Sequence, residues 1–272
     1  MKRKLISDKI LDFYNQSSEE DRLGQGLGPF EFERNKDLIE RYLPEPGAMI
    51  ADIGGGTGKY AAWLASQGHQ VVLVDPVEKH ISQAQKRAKR AGQKFDALLG
   101  EARNLDIPDG SVDLVILHGP LYHLQDYDDR MKALSEASRI LKPEGTVLGF
   151  AINYTASTFV ALLQGVLHEP HILNMCRSEL MSSMHDAPEN MPGVLTEAFY
   201  HRPEQLKAEF ENARFSNLVL YAVEGIVWLE KNFFSVRGDQ TKYKNLIELL
   251  KITEKDLNLI AMSPHMMIAG RK

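Results

Sequence analysis

The sequence predicts a doubly wound α/β fold, a mostly parallel sheet with helices on both faces. Three observations carry that prediction. From residue 48 onward, apolar runs of six to eight residues alternate with stretches long enough for helices. The runs are continuous in Val, Ile and Leu, as in strands buried on both faces. A glycine-rich loop, "IGGGTG", joins the first run to the first helical stretch.

The elements follow in order. Residues 1–45 are expected to form a helical N-terminal arm; the opening "MKRKLISDKILDF" is interrupted by Ser7, Asp8 and Lys9, too early for a secretory signal. "AMIADI" (48–53) is the first strand. Tyr60, Trp63 and Leu64 mark a helix face within 57–67, which Gly68 stops. "QVVLVD" (70–75) is the second strand. Ile81, Ala84 and Ala88 face inward from a helix over 78–91, stopped by Gly92. The third strand, "FDALLGEA" (95–102), runs into a loop, and "VDLVILH" (112–118) is the fourth. A helix carrying Leu134, Ala137 and Leu141 ends at "KPEG", and "TVLGFAI" (146–152) is the fifth strand.

The alternation then breaks. Phe159, Leu162 and Leu163 belong to one amphipathic helix, and residues 172–184 read as another. Residues 153–200 are therefore expected to form a helical cap, folded with the arm over the carboxyl edge of the sheet. Residues 201–272 return to the helix–strand form, with helix in 240–260, where Thr253 and Asp256 have capping-box spacing, and a last strand at 265–270. The chain reads as one domain: arm 1–45, core 46–152, cap 153–200 and a C-terminal part of the core, 201–272.

The 272 residues, 43% hydrophobic and 25% charged, suit one globular unit with a sizeable core. A net charge of −5 gives no reason to expect a nucleic-acid or membrane partner. Cys176 is the only cysteine, which excludes an intramolecular disulfide and fits a reducing compartment. No run approaches the roughly 18 apolar residues of a membrane span. A soluble, cytoplasmic protein is expected.

The glycine loop narrows the ligand. A phosphate-binding P-loop needs Lys-Ser or Lys-Thr after its last glycine, and Gly58 is followed by Lys59-Tyr60. A dinucleotide fingerprint needs a third glycine where Lys59 stands. The spacing is instead D-x-G-x-G-x-G, from Asp52 to Gly58. Asp75 closes the second strand, where a carboxylate accepts hydrogen bonds from both hydroxyls of a ribose and repels a 2′-phosphate. Glu101 and Ala102 follow the third strand, where an adenine edge would lie.

These segments resemble class I S-adenosylmethionine-dependent methyltransferases. "DIGGGTG" resembles their first motif, "VDP" their ribose acid, "GEARNLDIPDGSVDLVI" their adenine loop and fourth strand, and "RILKPEGTVLGFAI" the following helix and fifth strand. "EFERNKDLI", "HGPLYHL", "TEAFYHRPEQL" and "SPHMMIAGRK" resemble a bacterial branch of the family across essentially the whole chain, a branch without an assigned substrate. The resemblance implies a Rossmann-like, seven-stranded sheet, S-adenosyl-L-methionine as cofactor and S-adenosyl-L-homocysteine as product. It implies cofactor contacts from Asp52, Gly54, Gly55, Gly56, Thr57, Gly58, Asp75, Pro76, Glu101, Ala102, Leu117, His118 and Gly119. Asp52 either orients the loop or meets the cofactor's amino group. Tyr14 and Arg34, on the arm, are candidates for its carboxylate, which a guanidinium matches bidentately.

The acceptor side is read from what surrounds the carboxyl edge of the sheet. Gly119-Pro120 makes a rigid bend after the fourth strand, so Tyr122 and His123 are catalytic candidates; the alternative is a packed tyrosine and a helix-capping histidine. His201 is the next candidate, and Tyr200 and Arg202, where the cap returns to the core, are candidates for substrate contact. His265 is expected to be structural. A histidine suits proton removal from a hydroxyl or protonated amine, whereas an anion or free amine needs no base. Phe159, Leu162, Met181 and Met184 in the cap suggest a small or medium-sized organic acceptor. No metal site is expected: His168 and His171 flank Pro170, and no cysteine cluster accompanies them. The other functional readings are a non-catalytic cofactor binder, an RNA methyltransferase, and an NAD-dependent oxidoreductase, the last disfavoured by Lys59.

Overall fold

In the computed structural model of the chain, residues 6–16, 23–90, 94–188, 191 and 194–272 are described. Their strands are β1 (Met49–Ile53), β2 (Gln70–Asp75), β3 (Asp96–Leu99), β4 (Val112–Leu117), β5 (Leu141–Ile152), β6 (Met184–Asp186), β7 (Glu197–Phe199), β8 (Ser216–Ala222) and β9 (His265–Arg271). The helices are α1 (Asp8–Gln16), α2 (Gly28–Glu40), α3 (Lys59–Ser66), α4 (Glu78–Arg90), α5 (Pro120–His123), α6 (Tyr127–Ile140), α7 (Ala156–Gln164), α8 (Pro170–Ser182), α9 (Pro203–Asn212), α10 (Phe233–Arg237) and α11 (Gln240–Thr253).

Seven strands form one sheet in the order β3-β2-β1-β4-β5-β9-β8. β1 to β5 pair in parallel, and β9 runs antiparallel to both neighbours. The expected doubly wound, mostly parallel, seven-stranded α/β sheet is present. Side chains alternate across it. Ala51, Ile53, Val115 and Leu117 join Leu134, Ala137 and Phe210 on one face. Ile50, Leu114, Ile116 and Leu148 join Leu38, Leu64 and Ile81 on the other. Burial on both faces explains why these strands read as unbroken apolar runs.

Several boundaries differ from expectation. The third strand ends at Leu99 and the rest of its run, through 102, is loop; the Gly100 amide makes the last rung of the β2–β3 ladder by donating to the Asp75 carbonyl at 3.1 Å. The fifth begins at Leu141, since the chain passes from α6 directly into β5; the irregularity at "KPEG" places Glu144 at φ 62°. The expected Gly92 stop lies outside the described residues. Thr253 starts no helix: it ends α11, donating to the Leu249 carbonyl at 2.9 Å, while Asp239 caps the other end by accepting from the Thr241 and Lys242 amides.

Residues 153–200 are not helical throughout. After α7 and α8 the chain forms a short antiparallel hairpin, β6 with β7. Ser183, in the left-handed region at φ 63°, makes the reversal from α8 into β6. A three-residue strand leaves too little periodicity for a sequence pattern to register.

Candidate active site

The sheet places a site between the carboxyl ends of β1 and β4. From β1 the chain adds β2 and β3 to one side, then crosses to add β4 and β5 on the other, and doubly wound sheets hold ligands at such a switch point. A cavity of about 850 Å³ opens there, covered by α1, α2 and the segment after β5.

The glycine loop forms its floor. Gly54 has φ +76°, and a Cβ there would stand 2.9 Å from Pro120 Cδ and 3.0 Å from the Gly119 nitrogen. Only glycine fits so close to the start of α5 in that conformation. Gly54, Gly55, Gly56 and Thr57 line the cavity. Gly58 does not. Its hydrogen faces Phe95, 2.9 Å from where a Cβ would be, so it serves packing behind the loop.

Asp75, at the end of β2, is 5% exposed and lines the cavity with Pro76. One oxygen accepts the Gly56 amide at 3.0 Å; the other accepts the Val77 amide at 3.0 Å and faces His80 Nδ1 at 3.0 Å. A carboxylate has about four acceptor directions, so about one remains for a ribose hydroxyl, against the two expected from sequence. His80 Nε2 offers another acceptor. The ring lines the cavity, Nδ1–H is engaged by Asp75, and Nε2 is buried with no hydrogen-bond partner among the described residues.

Glu101 and Ala102 line the same wall, and Arg103 fixes the glutamate by donating from its backbone amide at 2.9 Å and from Nε at 2.7 Å. On the other side His118 is stacked between Tyr60 and Phe150, at ring-centroid distances of 4.2 and 4.7 Å. Asp52 is fully buried beneath it, Oδ1 lying 2.8 Å from His118 Nδ1. Asp52 and Leu117 are behind the cavity wall; Asp52 orients His118. Gly119 reaches the cavity directly.

Tyr122 and His123 both border the open space. His123 Nε2 is 2.7 Å from the Tyr14 hydroxyl, which brings α1 onto α5. Burial pushes the His123 imidazole down to about 4, against a raising effect from Asp75. The ring is neutral at physiological pH and is a weak base. Tyr200 also lines the cavity; its ring stacks on His185 at 4.5 Å, and burial pushes its phenol far up.

Three further sequence candidates are away from the cavity. Arg34 does not face the cavity: its Nε donates to the Val223 carbonyl at 3.0 Å and Nη2 to Glu254 at 2.8 Å, with Asp37 on Nη1. His201 is fully buried in the core, Nε2 3.2 Å from Glu209 Oε2, and burial lowers its pKa. Arg130 grips the same Glu209 bidentately, at 2.7 to 3.0 Å, and lies 3.7 Å over the Phe199 ring. Arg202 covers Tyr154 at 4.1 Å and donates to the Leu180 carbonyl. Each occurs in a polar motif whose partners, Glu254, Glu209 and Tyr154, are contacts a linear reading does not display.

The cap presents a different face from the one expected. Ala156, Val160, Ala161, Ile172 and Met175 wall the cavity, while Leu162 and Met181 are exposed. Phe159 packs edge-on against Trp228 and Met184 belongs to β6. Sequence reasoning also missed His80, Glu31 and Asn35 as lining residues. His80 had a signal: it lies in the first turn of the helix after Asp75.

A family model for a methyltransferase domain matches residues 51–149, the stretch from β1 to β5. That stretch is a class I S-adenosylmethionine-dependent methyltransferase domain. An uncharacterized methyltransferase of Mycobacterium tuberculosis is 31% identical over 125 residues, 45% of this chain and 48% of its own length. The chain thus spans about half the length of the curated relatives it matches. A SAM-dependent methyltransferase from Methanosarcina mazei has the same fold, with a TM-score of 0.60 and 20% identity over 86% of this chain and 96% of its own. So does a phosphoethanolamine N-methyltransferase of Haemonchus contortus, solved with S-adenosyl-L-methionine, at a TM-score of 0.56 and 19% identity over 97% and 60% of the two chains. The loop, Asp75, His80 and Glu101 in this methyltransferase domain fit the cofactor: a backbone floor without side chains, acceptors for ribose hydroxyls and a wall for adenine. Among the described residues, no helix is long and apolar enough to cross a membrane.

Proposed function

We propose that the chain methylates a small or medium-sized organic acceptor bound beneath the cap. The observation that carries this reading is the extent of the cavity. It runs from Asp75 and Glu101, past the glycine loop, to the apolar wall of Ala156, Val160 and Ile172. Its volume of about 850 Å³ is near the upper end of the roughly 300–1,000 Å³ found for ligand pockets, which suits a cofactor together with a small acceptor.

S-adenosylmethionine supplies a methyl group already activated by the sulfonium. The chain's own task is to bind, orient and exclude water. Tyr122, His123 and Tyr200 bound the acceptor end, and alignment of two bound reactants is worth roughly 7–11 kcal/mol of barrier. His123, neutral and tied to Tyr14, positions rather than deprotonates.

Thermal unfolding tests the reading. S-adenosylhomocysteine at a hundredfold over Kd adds about 2.7 kcal/mol of stability if it binds only the native state. A rise in Tm with S-adenosylhomocysteine and none with NAD or ATP is expected. An equal or larger shift with NAD would overturn the assignment of the cavity.

A further inference from the structure

His118 and Asp52 form a buried dyad that opens onto the cavity. Asp52, in β1, is fully buried, and its Oδ1 accepts from His118 Nδ1 at 2.8 Å. With Nδ1–H engaged by a carboxylate, Nε2 is the basic atom of the ring. The ring lines the cavity, and Nε2 is buried with no hydrogen-bond partner among the described residues. Both ring faces are covered. Tyr60 and Phe150 sandwich the imidazole at interplanar angles of 19° and 21°, and Asn35 Nδ2 holds the Tyr60 hydroxyl at 2.9 Å. An imidazolium formed there meets a carboxylate at one edge and an aromatic face on each side.

The dyad stands where the glycine loop meets the acceptor end. The His118 amide donates to the Ile53 carbonyl at 3.0 Å, just before the loop. At Gly119, the next residue, a Cβ would lie 3.7 Å from the Gly54 carbonyl and the Tyr122 hydroxyl, and 3.5 Å from His123. Along β5, Phe150 leads to Ile152 on the same sheet face, and Ile152 clusters with Ala156, Tyr200 and Tyr122. That wall of rings and aliphatic side chains suits an aromatic body. A base in this place serves an acceptor that must lose a proton, which a carboxylate or free amine need not do. A phenol loses its proton at about pH 10, about 3.5 units above imidazole, whereas an aliphatic hydroxyl is about as weak an acid as water, at about 16. An imidazole base is matched to the phenol.

We infer that the acceptor presents a phenolic hydroxyl to His118, and that Nε2 removes its proton as the methyl group is transferred. The inference rests on the methyltransferase reading of the cavity. In balanced form, the phenolic proton passes to Nε2, and Asp52 stabilises the imidazolium. An oxygen lone pair forms the new O–C bond as the S–C bond breaks, with that electron pair remaining on sulfur. The products are an aryl methyl ether and a neutral thioether, and the imidazolium returns its proton to solvent.

The test uses the full chain saturated with S-adenosylhomocysteine and para-nitrophenol, at a pH where the free phenol is colourless. Its anion is yellow. The bound probe is expected to turn yellow, because its acidity is close to that of imidazole and Nε2 takes its proton. Nitrogen NMR of ring-labelled histidine is expected to show His118 doubly protonated with para-nitrophenol and not with para-nitroanisole, which has no proton to give. His118→Asn keeps a donor toward Asp52 and removes Nε2. It is expected to bind S-adenosylhomocysteine, which shows it folded, and to lose the colour. Its affinity for para-nitrophenol is expected to fall roughly tenfold, as for one lost hydrogen bond. If that variant does not fold, the wild-type colour and His118 signal still decide. No binding of para-nitrophenol, a colourless complex, an unchanged His118 signal, or full colour in His118→Asn would overturn the inference. So would a larger Tm rise with para-nitrobenzylamine, which would make the acceptor an amine. If S-adenosylhomocysteine itself raises no Tm, the cofactor reading fails first; if it does and the colour is absent, this inference alone falls.

Discussion

The Tyr14 hydroxyl meets His123 Nε2 at 2.7 Å, joining the N-terminal helix α1 to the bend after β4. Lys79 adds to that attachment by donating to the Tyr14 and Asn15 carbonyls at 3.0 Å. Ile10, Phe13 and Tyr14 thereby become part of the cavity wall. Tyr14→Phe keeps the ring and removes the bond, worth about 0.5–1.5 kcal/mol. Limited proteolysis is expected to cut the variant faster near α1, with S-adenosylhomocysteine affinity reduced a few-fold. Wild-type cleavage and affinity together would show that the bond does not hold the helix.

The low His123 pKa sets a pH window. In the unfolded chain the imidazole titrates near 6.5, and in the folded chain near 4. Between those values the unfolded state binds the extra proton. The contribution is therefore complete above pH 6.5 and is lost as pH falls toward 4, with a slope of up to about 1.4 kcal/mol per pH unit. His201 and His69 are shifted in the same direction by burial and steepen the loss. Urea unfolding between pH 7.5 and 4.5 checks this. His123→Gln is expected to flatten the slope, and an unchanged slope would contradict the shift.

Asp75 does more than present an acceptor. Its oxygens hold the Gly56 amide and the Val77 amide that begins the next helical segment. Asp75→Asn replaces one oxygen with a donor that faces His80 or an amide, and hydrogen bonds to a charged group are worth about 1.5–3 kcal/mol. Calorimetry is expected to show S-adenosylhomocysteine affinity reduced at least tenfold. His80→Phe is expected to weaken binding by a smaller factor, since it removes the Nε2 acceptor while keeping an aromatic ring against Tyr14. Full affinity in both variants would move the ribose elsewhere.

His201 and Arg130 are expected to affect stability without affecting the cofactor. Arg130→Met leaves Glu209 buried with its principal partner removed, which costs roughly 3–5 kcal/mol. His201→Ala removes the other contact to Glu209 and is expected to cost about 1–3 kcal/mol. Chemical denaturation reads both. S-adenosylhomocysteine affinity within twofold of wild type in His201→Ala would accord with its burial away from the cavity, and a large loss of binding would return it to the site.

What the sequence displayed was whatever depends on local spacing. The glycine loop, the acid at Asp75 and the apolar strands are encoded in consecutive residues, and in the fold the loop follows β1 and Asp75 closes β2. What it concealed depended on distant partners. Arg34 and Arg202 carry groups suited to a ligand, but Glu254 and the Leu180 carbonyl occupy them. His201 reads as an available base until Glu209, eight positions on, buries it. The cap helices have two apolar faces, and hydrophobicity alone does not say which one turns inward. Glu31 and Asn35 carried a readable signal: they share a helix face, four residues apart, among otherwise buried positions of α2.

The place of β9 bears on how a nascent chain acquires this shape. Among the described residues β8 pairs only with β9, and β9 lies between it and β5, with Val147 opposite Gly270. On a ribosome, β5 must therefore wait for residues more than a hundred positions downstream before its outer edge is covered. Until then, the five parallel strands expose a hydrogen-bonding edge to any passing polypeptide. Because His265 arrives with that strand, the pocket wall and the cover over the β5 edge are completed in the same event.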